Sequence, residues 1–162
     1  MHRTVFVILL LLGAAFVWFT SSGLPAVVAS HFGPDGTANG YSGKGTYTAL
    51  MLALVVGVPG LVAATALWIR TRPASAINLP NKDYWLAPAR RDATLATLAS
   101  LCRWFALALA AFLCFVHWLV VRANALEPPR LHESGFYAAL AIFAAANIAC
   151  MIFLFRRFGR AR

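Results

Sequence analysis

His31, Asp35 and Asn39 fall within nine residues of one another in a glycine-rich stretch. An imidazole and a carboxylate at that spacing could share a metal ion or act as an acid–base pair. Asp35, Thr37, Asn39 and Gly40 also stand at positions 1, 3, 5 and 6 of a calcium loop. Position 12, however, is Thr46, where a bidentate glutamate is required. The favoured reading makes His31 and Asp35 structural, forming local hydrogen bonds that hold a turn. No catalytic residue, metal or cofactor is therefore expected.

The other reactive side chains give weaker signals. Cys102, Cys114 and Cys150 lie in or beside apolar runs without CxxC or Cys/His ligand spacing, which points to small apolar packing roles. Three polar residues fall inside or at the edge of apolar runs: Thr65, His117 and Asn147. His117, beside Trp118 near the end of its run, is read as an interfacial histidine before a proton relay. Asn147 is read as bonding a neighbouring helix. All five acids (Asp35, Asp83, Asp92, Glu127, Glu133) fall in loops. A proton- or sodium-coupled carrier, which needs a carboxylate at membrane depth, is thus disfavoured.

What must position these residues is a set of apolar helices. The 162 residues are 61% hydrophobic and 12% charged, with mean hydropathy +0.73. The composition leaves too few polar residues for a sizeable soluble domain. Four apolar runs are each long enough to cross a hydrocarbon core of about 30 Å as helices, the form that satisfies every backbone amide in lipid. The expected architecture is an all-α, four-transmembrane-helix bundle forming one domain. Its helices cover about 4–24, 47–69, 102–122 and 136–156, with loops at 25–46, 70–101 and 123–135 and a basic tail at 157–162.

Eleven basic residues (Arg3, Arg70, Arg72, Lys82, Arg90, Arg91, Arg103, Arg156, Arg157, Arg160, Arg162) lie on one side, against Lys44, Arg122 and Arg130 on the other. The positive-inside rule puts both termini and the middle loop in the cytoplasm. Trp18, Trp68, Trp104 and Trp118 sit near run ends, as an aromatic belt requires. The net charge of +9 is read as attraction to anionic lipid headgroups; nucleic acid is not an expected partner, because no recognition module is present. Met1-His2-Arg3 and Val27-Val28-Ala29 imitate a secretory signal, but that cleavage site lies ten residues beyond Phe19, too far for normal processing.

Small residues at four-residue spacing (Ala53 with Gly57, Gly60 with Ala64, Ala106 with Ala110 and Cys114, Ala141 with Ala145 and Ala149) should let helices approach closely. Pro59 should kink the second helix. In the outer loop, Asp35-Gly36 and Asn39-Gly40 are tight-turn signals, so a short ordered cap is expected. In the inner loop, Pro80 and Pro88 bracket Tyr84 and Trp85, an aromatic pair suited to the interface. Pro88 is a plausible helix start, and a helix from there to Val121 would measure about 51 Å, so its first turns must leave the bilayer or bend along its surface.

Leu24-Pro25, His31-Phe32, Asp35-Gly36, Asn39-Gly40-Tyr41 and Lys44 together resemble the bacterial membrane domain of unknown function numbered 1648. That domain also forms the N-terminal part of an immunity and signalling protein against the sporulation-delay toxin of bacilli. Ala26 and Ala29 stand where many members carry an acid and a second proline. Asn78, Pro80, Asn81, Tyr84, Trp85, Pro88, Arg90 and Arg91 resemble the inner loop of the short, stand-alone branch. The resemblance implies a multi-pass protein of the bacterial cytoplasmic membrane with a periplasmic cap, non-enzymatic in its best-known relative.

The functional expectation is a module for partner binding, signalling or immunity, whose two loops contact a protein, peptide or lipid. The alternative is a small transporter or lipid/peptide carrier using a groove near Pro59.

Overall fold

The computed structural model describes residues 3–160; Met1 and His2 of the basic start and Arg162 of the basic tail lie outside the described residues. Four helices are long and apolar enough to cross a membrane: α1 (Arg3–Ser21), α2 (Lys44–Thr71), α4 (Pro88–Ala123) and α5 (Glu133–Phe158). Between α1 and α2 runs an antiparallel hairpin, β1 (Val27–Phe32) and β2 (Ala38–Gly43). A short helix, α3 (Lys82–Trp85), lies between α2 and α4. The hairpin end and the α3 end are thus opposite ends of the bundle.

Outside the bundle the surface is greasy. Phe19, Leu61 and Ile142 are each 70–72% exposed. Apolar side chains facing outward along helices of this length are what lipid, and not water, stabilises. The chain is a multi-pass membrane protein.

α4 is the central element, with α1, α2 and α5 all packing on it. Near the hairpin, Val17, Leu24, Val28, Tyr47, Met51, Val55 and Val120 form one core. A middle layer joins Phe6 and Leu10 to Ala106 and Ala110, whose small side chains let α1 approach α4. At the opposite end Ile77, Leu79, Leu86, Leu95 and Phe158 make a third cluster.

Several expectations need correction. The all-α reading lacked the hairpin. Asp35-Gly36 does make the turn, but Asn39-Gly40 lies within β2, where Gly40 pairs with His31. The alternation Val27-Val28-Ala29 with Tyr41-Ser42-Gly43 is short and mixed in polarity, so turn residues overshadowed the strand pattern. The segment read as a signal-like cleavage site is strand β1. The helix start expected at Pro88 is found there, since proline at the first helical position fits its fixed φ, and the helix runs without a break into the span expected at about 102–122. At 36 residues it is about 54 Å long. Ahead of Pro59 the helix takes a π-helical turn, Ala53–Gly57; proline donates no hydrogen bond, and a wider turn is one way to absorb the loss. Ala141, Ala145 and Ala149 lie on the exposed face of α5, so that small-residue stripe does not pack within this chain.

Candidate functional site

The outer-loop residues of the family pattern are held in a cap built from both connections at the hairpin end. At its tip, Asp35 Oδ1 accepts from the Thr37 hydroxyl at 2.7 Å and from the Thr37 amide at 3.2 Å. These bonds, the hydroxyl first, hold the exposed Asp35 carboxyl below its ordinary value of 3.8. Gly36 follows with φ +77°, a conformation glycine adopts freely. A Cβ there would collide with the Leu131 carbonyl oxygen.

The second connection, residues 124–132, clamps this tip. Leu131 N donates to Gly36 O at 2.8 Å, Thr37 bridges to Arg130, and Arg130 Nη2 donates to Asp35 O at 3.2 Å. Asn124 binds β1 along its edge: its Oδ1 accepts from Ala29 N at 2.8 Å and its Nδ2 donates to Ala29 O at 3.0 Å. Leu24 is buried beneath the hairpin, and Lys44 Nζ donates to Ser22 O.

The proposed His31–Asp35 pair has no shared task. His31 Nδ1 lies 3.1 Å from Ser30 Oγ, while the Asp35 carboxylate serves Thr37. Among the described residues no three His, Cys, Asp or Glu side chains gather closely enough to hold a metal. Val27 and Tyr41, 63% and 58% exposed, stand on the free surface of the hairpin.

Directly under the cap lies a polar group that the sequence reading misplaced. His117 was expected at the membrane interface, but it is fully buried among three helices. Its Nε2 lies 2.8 Å from Thr20 Oγ1 on α1, and its Nδ1 2.9 Å from the Tyr47 hydroxyl on α2. Thr20 has one proton, and its shortest acceptor is Phe16 O at 2.6 Å. Thr20 therefore accepts from Nε2–H, and Nδ1 accepts from Tyr47. A directed chain results: Tyr47 O–H to His117, His117 N–H to Thr20, Thr20 O–H to the α1 backbone. The Phe16 ring meets the imidazole edge-on and the Tyr47 ring stacks on it.

The remaining intramembrane polar residues lie elsewhere. Asn147 does not reach a neighbouring helix; its Nδ2 donates to Phe143 O, one turn back on α5, at 2.7 Å. Thr65 bonds Val62 O on its own helix and lines a cavity of about 290 Å³ with Cys102. Cys102 precedes His117 by fifteen residues on α4, about 22 Å along the axis. Thr65, His117 and Asn147 do not form one polar path.

At the opposite end the inner-loop residues grip the end of α5. Asn81 adopts φ 51°, a left-handed conformation that asparagine tolerates. From there its Nδ2 donates to Phe158 O at 3.0 Å, and Trp85 Nε1 donates to the same oxygen at 3.0 Å. Carbonyls in the last turn of a helix have no intrahelical partner, so this oxygen is well placed for capture. Trp85 meets the Phe158 ring edge-on, and Arg157 lies 4.5 Å above Trp85. Arg90 stacks 3.9 Å over Tyr84, and Arg91 donates to Arg70 O and Arg72 O. Asn78 and Pro80 border a cavity against Phe155 and Phe158. Pro88 opens α4.

Sequence reasoning missed Thr20, Tyr47, Asn124, Arg130 and Phe158. Tyr47 and Thr20 carried a faint signal, each being a polar residue at the border of an apolar run. Phe158 acts through its backbone and carried none.

Residues 5–57 match the family model described as a domain of unknown function (DUF1648). The matched segment runs from α1 through the hairpin to the π-helical turn and includes the outer-loop pattern; the inner-loop residues lie beyond it. No curated protein and no solved structure gives a match.

Proposed function

We propose that this protein is a non-enzymatic module of the bacterial cytoplasmic membrane whose hairpin cap docks a protein or peptide partner, in a signalling or immunity role. One observation carries the reading. Asp35, Asn124 and Arg130 are engaged in holding the cap together, while its free surface offers Val27 and Tyr41. A braced cap with outward-facing apolar and aromatic side chains is suited to recognition without ordering cost. In this reading the hairpin faces the periplasm and both termini the cytoplasm. The basic residues support that orientation: Arg70, Arg72, Arg90, Arg91, Arg156 and Arg157 cluster at the α3 end, where they meet anionic headgroups.

Two measurements test the proposal. Single cysteines at Thr37 and Asn81, in a cysteine-free background, should label from opposite sides of the membrane; labelling from one side would overturn the topology. A photo-crosslinker at Tyr41 in intact cells should give a discrete protein adduct, diminished by Val27→Ser while the fold persists. Adducts to lipid alone would remove the docking role.

A further inference from the structure

The ends of α1 and α2 border a groove of about 910 Å³ below the hairpin. Its walls are mostly apolar, with Trp18, Ala49 and Leu52 along its length and Ser21, Lys44 and Gly45 at the mouth. Two features of that mouth favour a negative charge. First, it is the N-terminus of the 28-residue helix α2, which starts without a side-chain cap and with no acid in its first turn. The Lys44 amide is taken by Ala26 O, so Gly45 and Thr46 present the unpaired amides of the first turn. Second, Lys44 Nζ uses one donor on Ser22 O and has two more to give. A Cβ at Gly43 or Gly45 would meet nothing within 4 Å, so the surface beside the first turn of α2 is open.

We infer that this groove is a phospholipid-binding site: the lipid phosphate sits on the α2 N-terminus and Lys44, and one acyl chain lies along Trp18, Ala49 and Leu52. The charge and the apolar trough occur together at the end of two membrane-crossing helices, where phosphate and acyl chain meet in a bilayer. Helix N-termini bind phosphate through exposed amides and the helix dipole. Trp18, 63% exposed in the last turn of α1, lies at the depth where an aromatic ring meets headgroups. The site is separate from the docking surface proposed at Val27 and Tyr41.

The test is native mass spectrometry of the delipidated full chain in detergent. Dioleoylphosphatidylglycerol is titrated in parallel with dioleoylglycerol, which has the same chains and no phosphate. The parent should retain one phosphatidylglycerol per chain, roughly tenfold more tightly than dioleoylglycerol. Lys44→Gln should lower that retention by roughly tenfold, the loss expected for a hydrogen bond to a charged group. Ala49→Trp, on an exposed position of α2, should fill the trough and lower retention with Lys44 intact. If Lys44→Gln does not fold, Ala49→Trp decides. The Val27→Ser variant should bind lipid as the parent does, so failure of the docking proposal and failure of this one are told apart. Equal retention of the two lipids, unchanged binding in Ala49→Trp, or displacement by millimolar inorganic phosphate alone would each overturn the assignment.

Discussion

Asn124 binds Ala29 as a neighbouring strand would, accepting from its amide at 2.8 Å and donating to its carbonyl at 3.0 Å. The residues stand 95 apart in sequence, yet this carboxamide covers the edge of β1 with one side chain. Its Nδ2 also reaches Val120 O at 2.9 Å, which fixes the amide to the end of α4. The hairpin is thereby referenced to the central helix of the bundle.

Asn124→Ala should remove both bonds to Ala29 and destabilise the protein by about 1–3 kcal/mol, since Ala29 is buried and its polar groups lose their partners. Asn124→Asp keeps the acceptor and should fall between parent and alanine variant. Thermal unfolding in detergent, with hydrogen exchange at the Ala29 amide, reports both effects. Unchanged exchange at Ala29 would show that the clamp carries no weight.

At the hairpin tip and within β2, valine substitutions separate conformational from steric demand. Gly36→Val meets both a positive φ and the Leu131 carbonyl, and should cost on the order of 2 kcal/mol or more. Gly40→Val has an ordinary backbone but would press on the His31 Cβ at 2.9 Å, so its cost should be smaller. Gly43→Val, whose Cβ would meet nothing, should stay within about 0.5 kcal/mol of the parent. A different order of melting temperatures would refute this description of the cap.

The chain Tyr47–His117–Thr20 links α2, α4 and α1 through one buried imidazole. Tyr47→Phe leaves Nδ1 without a donor and Thr20→Val leaves Nε2–H without an acceptor; each should cost about 1–3 kcal/mol. Because they share His117, the double variant should be less damaged than the sum, with a coupling of about 0.5–3 kcal/mol. Strict additivity in equilibrium unfolding would mean that the network does not act as a unit.

Asp35 gives the cap a pH dependence of known sign. Its carboxyl is held below the ordinary 3.8 by the Thr37 hydroxyl and amide, so the ionised form is favoured in the fold. That contribution is complete above 3.8 and is lost as the pH falls through the lowered folded value. The difference in melting temperature between parent and Asp35→Asn should therefore be constant near neutrality and shrink below pH 3.8. A difference that grows on acidification would reverse the assignment.

The sequence was most legible where one physical demand dominates. Runs such as Val5–Phe19 and Phe136–Phe155 can only be helices in lipid, and Pro88 marks a helix start through its fixed φ. Asp35-Gly36 was readable as a turn because few residues accept φ +77°. Asn39-Gly40 shows the limit of the same rule. A turn dipeptide sits in a strand there because Gly40 leaves room for His31 across the pair. Partners separated by 70 to 97 residues, as His117 is from Tyr47 and Thr20, leave no periodic trace. Asn81 was noticed as part of a motif, but the carbonyl it holds belongs to the backbone of Phe158, which side-chain patterns do not encode.

The bracing of the hairpin bears on how this architecture can be divided. The family match ends at residue 57, whereas Asn124, Arg130 and Leu131, which secure β1 and the tip, belong to the second half of the chain. A fragment ending at residue 57 would contain both strands and the helices that lead into and out of them, yet would lack every one of these external struts. The stretch that matches the family model and the set of residues that brace the hairpin are therefore different lengths of chain. In this chain the edge of β1 is closed by a side chain that lies 67 residues beyond the end of that stretch.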